Sequence, residues 1–232
     1  MAPGEQPAVD RRPAMPSAIV LGERRGAGGM GEVFAAEHCV HGRVVIKLMH
    51  AHLDERFVER LRLEGQAMAR LRSPHVVRVL DWGLAGGGQP YLVMERLDGA
   101  PLDRLLKRSG ALTVVQAAAI AADVLRGLGA VHAMKLVHRD VKPANVFVCA
   151  DRAVLLDFGV VKLLERVTGI DQLEHMTRAG GTVGSPRYMA PEQARGGRVD
   201  GRADLYAVGV MLFRMITGVE KSDALGGDAS TL

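Results

Sequence analysis

The chain has 232 residues, of which 48% are hydrophobic and 24% charged, and it carries a formal net charge of +4. This composition excludes a disordered or fibrous protein and predicts a soluble globular chain of one or two domains. The basic residues are spread along the sequence, which argues against a nucleic-acid-binding tail. Two cysteines, Cys39 and Cys149, are too few and too far apart to indicate a disulfide framework or a zinc site, so we expect a cytoplasmic protein.

The N-terminal segment, residues 1–17, contains four prolines and lacks the apolar centre of a signal peptide, so it is predicted to be a disordered lead-in. A membrane-spanning helix needs about 18 or more apolar residues in a row. The nearest stretch, LYAVGVMLFRMITG, is shorter and is interrupted by Arg214. The sequence therefore predicts no membrane span.

Short segments rich in β-branched and apolar residues follow the lead-in: IVLGERRG, EVFAAEH and RVVIKLMH. Glycine-containing turns separate them, which is typical of antiparallel strands. Residues 53–72 then place Phe57, Leu61 and Met68 on one stripe opposite charged side chains, which predicts an amphipathic helix. Two further strand-like runs, HVVRVLDWG and PYLVMERL, complete a small sheet.

The second half of the chain is helical in character, with LDRLLKRSG and the long TVVQAAAIAADVLRGLGAVHAMK. Strands first and helices later predict an α+β fold of two lobes. We expect a sheet-containing N-terminal lobe at residues 18–96, a helical C-terminal lobe at 97–218 and a polar tail at 219–232. The irregular stretch between Val160 and Arg187 is longer than an ordinary connection, which indicates a functional segment.

The glycines of RGAGGMGEVF have the spacing G-x-G-x-x-G at Gly26, Gly28 and Gly31. The same spacing opens dinucleotide-binding folds, but there a helix must follow directly. Here residues 32–35 read as a strand, which favours a hairpin whose backbone N–H groups cover phosphates. A glycine-rich hairpin without a ligand is the alternative.

The run VVIKLM places Lys47 within an apolar strand. An unpaired buried ammonium is costly, so a carboxylate partner is required, and Glu64 on the predicted helix is a reasonable one. The alternative is that Lys47 lies on the solvated face of an edge strand.

The segment LVHRDVKPANVFV, followed by VLLDFG, concentrates chemically distinct side chains in one loop. Phosphoryl transfer to a hydroxyl needs a carboxylate to accept the proton, a cation near the moving phosphoryl group and oxygen ligands for magnesium. Asp140, Lys142, Asn145 and Asp157 supply these groups. The alternative interpretation is a charged surface loop. It would require that the long and strongly constrained spacing of HRDVKPAN and DFG arose by chance.

Taken in order, GAGGMGEVF, VVIK, Glu64, HRDVKPAN, DFG and APE resemble a eukaryotic-type protein kinase, and the wording is most similar to the bacterial serine/threonine kinases. The resemblance covers residues 19–218. It implies a two-lobed kinase fold that uses ATP and Mg²⁺, with Mn²⁺ as an alternative metal, and protein substrates with a Ser or Thr acceptor.

The resemblance also implies a role for each matching residue. In catalysis and metal binding these are Asp140 as catalytic base, Lys142 near the γ-phosphate, Lys47 on the α- and β-phosphates paired with Glu64, and Asn145 and Asp157 on the metal. For the nucleotide they are Gly26, Gly28, Gly29 and Gly31 over the phosphates, Val33, Val45 and Phe147 around adenine, Met94 as gatekeeper, and Glu95 and Leu97 as hinge.

Arg139 precedes Asp140, as in kinases whose activation segment is ordered by phosphorylation, because the phosphate can pair with that guanidinium. Thr177 and Thr182 are the candidate autophosphorylation sites, and ordinary exposed threonines are the alternative. Ser185 lies in the predicted substrate turn.

The sequence departs from the family pattern mainly after Gly218, where the polar tail VEKSDALGGDASTL cannot form the further helices that the resemblance implies. We therefore expect a helical lobe that lacks its last helices: a truncated kinase, or one whose central helix a partner chain or a second copy covers. A catalytically silent ATP-binding module is the alternative function. A small-molecule phosphotransferase is disfavoured by the APE segment.

Overall fold

The computed structural model describes residues 13–28, 31–49, 71–156 and 186–219. Several predicted features lie outside the described residues: the body of the amphipathic helix, and the sites at Gly29, Glu64, Asp157, Thr177, Thr182 and Ser185. Contacts divide the chain into two compact units, one formed by residues 1–56 with 80–94 and the other by 57–79 with 95–232.

A five-stranded sheet organises the first unit. Its strands are β1 (Ile19–Gly28), β2 (Gly31–His38), β3 (Gly42–Met49), β4 (Val79–Ala85) and β5 (Gln89–Glu95), in the spatial order β1-β2-β3-β5-β4. The pairs β1–β2 and β2–β3 are antiparallel. Alternate side chains, including Phe34, Val44 and Ile46, pack on one face with Tyr91 and Val93. The predicted small sheet is confirmed.

The fourth strand begins at Val79, four residues later than the sequence predicts. The preceding residues are engaged elsewhere, because Val76 forms a parallel bridge with Leu155 and the Val77 N–H donates to the Leu155 carbonyl. Val76 is accordingly part of the core of the second unit. Its apolar side chain is buried there and not in the first sheet.

In its described residues, the second unit contains a three-stranded sheet and four α-helices. The strands are β6 (Ala100–Pro101), β7 (Val146–Val148) and β8 (Ala153–Leu155), paired antiparallel in that order. The helices are α1 (Leu102–Ser109), α2 (Val114–Ala133), α3 (Pro191–Ala194) and α4 (Gly201–Thr217). These positions confirm the predicted helical character of this half.

Local sequence sets the ends of the two long helices. Thr113 and Gln116 form a reciprocal capping box at the start of α2. The Asp200 side chain accepts the Arg202 N–H at the start of α4, and Gly218 ends that helix in the left-handed conformation, at φ 72°.

Helices α2 and α4 form the centre of the second core. Val124, Leu128 and Val131 of α2 are buried, as are Met211 and Met215 of α4. By length and composition alone, α2 is a helix that could cross a membrane, the one such helix among the described residues. Because the inner face of α2 packs into this core, its length and composition are weak evidence that it spans a membrane.

One face of α4 remains exposed. Leu205, Phe213 and Ile216 are 49%, 43% and 40% exposed, and their spacing of eight and three residues places them on one side of the helix. This is the helix for which the sequence predicts incomplete cover. That a partner chain or a second copy covers it stays a prediction.

Gly31 is required by close backbone packing within the first sheet. Its φ is +155°, and a Cβ atom there would lie 2.2 Å from the Leu48 carbonyl oxygen of β3. At Gly26, in β1, a Cβ would meet nothing within 4 Å. The two glycines of the predicted phosphate loop therefore differ in their structural need for glycine.

We expect Gly31→Ala to destabilise the first unit by about 2 kcal/mol or more, because the added methyl group forces strands β2 and β3 apart. Gly26→Ala is the matched control and should unfold close to the wild-type temperature. Thermal unfolding followed by circular dichroism measures both. Equal unfolding temperatures for the two variants would contradict this account of Gly31.

Candidate active site

A buried carboxylate of helix α4 anchors the loop that contains HRD. Asp204 is 1% exposed. Its Oδ2 accepts the His138 N–H at 2.8 Å and its Oδ1 accepts the Arg139 N–H at 2.7 Å. The His132 Nε2 lies 2.7 Å from Oδ2. A buried carboxylate is stable only with such partners, so this arrangement fixes both the helix and the start of the loop.

Arg139 adopts a strained backbone conformation, with φ at +63°. The left-handed region costs a residue with a Cβ about 1–2 kcal/mol. Hydrogen bonds on both sides hold it, because its N–H donates to Asp204 and its carbonyl accepts the Gln193 Nε2 at 3.1 Å. The conformation therefore depends on two elements outside the loop.

His138 is a polar bridge as well as a buried side chain. Its Nδ1 lies 3.3 Å from the Asp140 N–H, and its Nε2 lies 3.1 Å from the Leu156 carbonyl. A backbone N–H only donates and a carbonyl only accepts, so these partners select the neutral imidazole protonated at Nε2. His138 thus ties Asp140 to the residue that precedes the predicted metal ligand at 157.

Asp140 is held through one of its two carboxylate oxygens. The Lys142 Nζ lies 2.8 Å from Oδ2, and the Asn145 Nδ2 donates to the same oxygen at 2.9 Å. The side chain of Asp140 is 35% exposed. Both of these contacts go to Oδ2, and the described residues make no such contact to Oδ1. The structure brings together the three loop residues that the sequence predicts.

Asn145 is oriented by its amide nitrogen. It ends the 3₁₀ turn Pro143–Asn145 and is 6% exposed. Its Nδ2 donates both to the Asp140 carbonyl, at 2.8 Å, and to the Asp140 carboxylate. The amide oxygen therefore points elsewhere, and amide oxygens are ligands that Mg²⁺ accepts. The orientation of Asn145 fits a metal ligand.

Leu156 continues this arrangement, since its N–H donates to the Asn145 carbonyl at 2.8 Å. The second predicted ligand, Asp157, is the next residue and lies outside the described chain. Within the described part, no three His, Cys, Asp or Glu residues form a group that could hold a metal ion. The proposed pair, the Asn145 amide and Asp157, is a different set of donors.

Lys47 occupies a central strand of the first unit and is 4% exposed. Strand β3 lies between β2 and β5, so the alternative of a solvated edge strand is wrong. Val33 is directly opposite Lys47 in the register, and Val45 is two residues before it. These three side chains share one face of the sheet, the face opposite Phe34 and Ile46. The strand β2 that follows the glycines also excludes the dinucleotide-binding interpretation.

The predicted adenine-binding residues are in regular structure or beside it. Met94 is buried in β5. The Glu95 N–H donates to the Arg78 carbonyl at 3.0 Å, and its carboxylate accepts the Arg78 N–H at 2.8 Å. An adenine bond from Glu95 would therefore use its carbonyl. Leu97 is half-buried, and Phe147 lies in β7 opposite Pro101 and Val154.

The segment around APE packs against the same helix that anchors the loop. Arg214 of α4 donates to the Tyr188 hydroxyl at 3.0 Å. Burial raises the pKa of Tyr188, and the nearby Arg214 partly offsets this effect. Arg202 lies close enough to Glu192 to interact with it electrostatically, although its guanidinium is bonded to Asp200.

Sequence reasoning missed two residues of this site, Asp204 and Gln193. Asp204 has a recognisable signal, because it is an acidic residue that directly precedes the apolar run LYAVGVMLF, and an acidic side chain is buried only with partners. Gln193 has none, since a glutamine after APE reads as an ordinary polar helix residue.

The comparisons with known proteins agree with this geometry. Residues 20–229 match the protein kinase domain family, and the chain belongs to that family. It is 39% identical to the serine/threonine-protein kinase pkn3 of Myxococcus xanthus over 212 residues, which cover 87% of this chain and 38% of that protein. It is 38% identical to the serine/threonine-protein kinase PknB of Mycobacterium leprae over 205 residues, which cover 85% and 32%.

The predicted resemblance to bacterial serine/threonine kinases is thereby confirmed. The chain spans about a third of the length of these curated relatives. The kinase family and the two-lobed fold class follow from the match.

We expect Asp204→Asn to lower the stability of the second unit by about 3 kcal/mol, because the amide group offers one acceptor oxygen where three donors converge. Asp200→Asn, the same change at the residue that caps this helix, is the control, and asparagine caps a helix as well as aspartate does. Thermal unfolding of both variants measures the difference. Comparable unfolding temperatures would contradict the anchoring role of Asp204.

Proposed function

We propose that the chain is a protein serine/threonine kinase that transfers the γ-phosphoryl group of ATP to a Ser or Thr hydroxyl. The bond between the hydroxyl oxygen and the γ-phosphorus forms, the bond from that phosphorus to the bridging oxygen breaks, and ADP leaves. The hydroxyl proton passes to a carboxylate. The observation that carries this proposal is the Asp140 carboxylate, held at Oδ2 and exposed enough to reach a substrate.

Asp140 acts as the catalytic base. Lys142 and Asn145 hold its Oδ2, so Oδ1 orients the acceptor hydroxyl and takes its proton. The Lys142 ammonium is 2.8 Å from Asp140 and 20% exposed, which lets it also neutralise charge on the γ-phosphoryl group. Positioning and charge stabilisation supply most of the rate in such reactions, and both are built into this loop.

Magnesium, or manganese in its place, supplies charge neutralisation across the phosphates when bound. Asn145, through its amide oxygen, and Asp157 are the residues that would hold it. Lys47 would bind the α- and β-phosphates with Glu64 as its partner. The backbone of Gly26, Gly28, Gly29 and Gly31 would cover the phosphates.

Adenine would lie against Val33, Val45 and Phe147 and would bond to the backbone at Glu95 and Leu97, with Met94 as gatekeeper. The shared sheet face of Val33, Val45 and Lys47 supports this assignment within the first unit.

Activation by phosphorylation of Thr177 or Thr182 follows from the same proposal. The phosphate would pair with Arg139, whose side chain is exposed. Ser185 would form part of the turn that receives the peptide. We also propose a cytoplasmic location, with the exposed face of α4 covered by a partner chain or a second copy.

A second candidate function is a regulatory module that binds ATP without transferring phosphate. The exposed Leu205, Phe213 and Ile216 favour it, because the helix that anchors the catalytic loop has one open apolar side. A less firmly packed α4 would hold Asp204, and through it the loop, less well.

We expect the chain, incubated with labelled ATP and magnesium, to label itself or a basic protein substrate. Asp140→Asn should reduce the rate at least about 100-fold, because it removes the proton acceptor. Nucleotide binding, measured as a rise in unfolding temperature, should persist in the variant. Asp151→Asn, an exposed carboxylate in the β7–β8 turn, is the control and should retain the wild-type rate.

Two outcomes would overturn parts of this proposal. Undiminished labelling in Asp140→Asn would exclude that residue as the base. A wild-type chain that binds ATP with a thermal shift but transfers no label would establish the regulatory module instead.

A further inference from the structure

Gln193, the third residue of α3, connects that helix to the catalytic loop. It is 7% exposed. Its Oε1 accepts the Ala190 N–H at 3.2 Å, and its Nε2 donates to the Arg139 carbonyl at 3.1 Å. The first bond fixes the amide plane against the start of its own helix. The second therefore aims at Arg139 from a defined direction.

The acceptor of that bond belongs to the peptide between Arg139 and Asp140. The N–H of the same peptide donates to the His138 Nδ1 at 3.3 Å. A peptide group is planar and rigid, so partners at its oxygen and at its nitrogen fix its orientation. The Cα of Asp140 is attached directly to this plane. Its carboxylate therefore inherits the orientation.

The backbone at Arg139 makes this support necessary. Its φ of +63° is unfavourable for a residue with a Cβ, and its N–H is held by Asp204. Loss of the Gln193 bond would take away the donor to the Arg139 carbonyl, and the contact between the Asp140 N–H and the His138 Nδ1, at 3.3 Å, would then hold the peptide less firmly. The strained residue could then relax by rotating the Arg139–Asp140 peptide.

We propose that Gln193 is a positioning residue for phosphoryl transfer, which makes the placement of Asp140 depend on the folded state of helix α3. This inference rests on the proposed role of Asp140 as the base.

The test compares Gln193→Met with Gln116→Met in the full 232-residue chain. Methionine keeps the length of the side chain and loses its hydrogen bonds. Gln116 also uses its Oε1 to accept a backbone N–H, at the start of α2, but it does not contact the loop. Both variants lose the bond to a backbone N–H at the start of a helix, and Gln193→Met alone loses a bond to the loop, so a loss of kcat confined to Gln193→Met is not explained by the loss of a cap.

For Gln193→Met we expect kcat to fall about 10- to 100-fold, because a misplaced base loses the near-attack geometry. The KM for ATP should stay within about 2-fold, since the bond does not reach the nucleotide-binding residues. Gln116→Met should keep kcat within about 2-fold of wild type. Gln193→Glu keeps the oxygen that accepts the Ala190 N–H and loses the donor to Arg139, so its kcat should fall as it does in Gln193→Met. This variant replaces Gln193→Met if the methionine variant does not fold.

Hydrogen exchange gives a readout that needs no turnover. Backbone amides of residues 136–142 should exchange at least about 10-fold faster in Gln193→Met, and at the wild-type rate in Gln116→Met. If the wild-type chain is active and Gln193→Met has the same kcat, the positioning role is overturned. Unchanged hydrogen exchange of residues 136–142 in Gln193→Met overturns it as well. If the wild-type chain transfers no phosphate, the proposed function fails, and this failure is separate from the present inference. Faster exchange in Gln193→Met would still support the conclusion that Gln193 holds the peptide between Arg139 and Asp140.

Discussion

The geometry of the loop that contains the proposed base depends on one buried carboxylate, Asp204. A charged group with 1% exposure is tolerated only when donors surround it, and here two successive backbone N–H groups and an imidazole do so. The same contacts impose the positive φ of Arg139. The same hydrogen bonds therefore stabilise the buried charge of Asp204 and hold the strained backbone of Arg139.

Three residues, Asp204, His138 and Asn145, together position Asp140. Asp204 fixes the two residues before it, His138 accepts its backbone N–H, and Asn145 donates to its side chain and to its carbonyl. All of these partners belong to the second unit. The placement of the proposed base is thus set within that unit, by helices α3 and α4 and by the loop itself.

Much of the fold and of the site could be predicted from the sequence. Alternating apolar residues predicted the strands, and the HRDVKPAN spacing predicted that Asp140, Lys142 and Asn145 lie together in one loop. What the sequence could not provide were contacts between distant segments. The pairing of Val76 with Leu155 delays β4, and the bonds of Asp204 and Gln193 join residues more than fifty positions apart. No local pattern encodes such partners.

The most direct test of the account is a crystal structure of the chain with a non-hydrolysable ATP analogue, magnesium and a Ser-containing peptide. The account predicts that the acceptor hydroxyl lies about 3 Å from Oδ1 of Asp140, while Oδ2 keeps Lys142 and Asn145. It also predicts that the Asn145 amide oxygen faces the metal. A hydroxyl bonded to another group, with Asp140 turned away from it, would contradict the account.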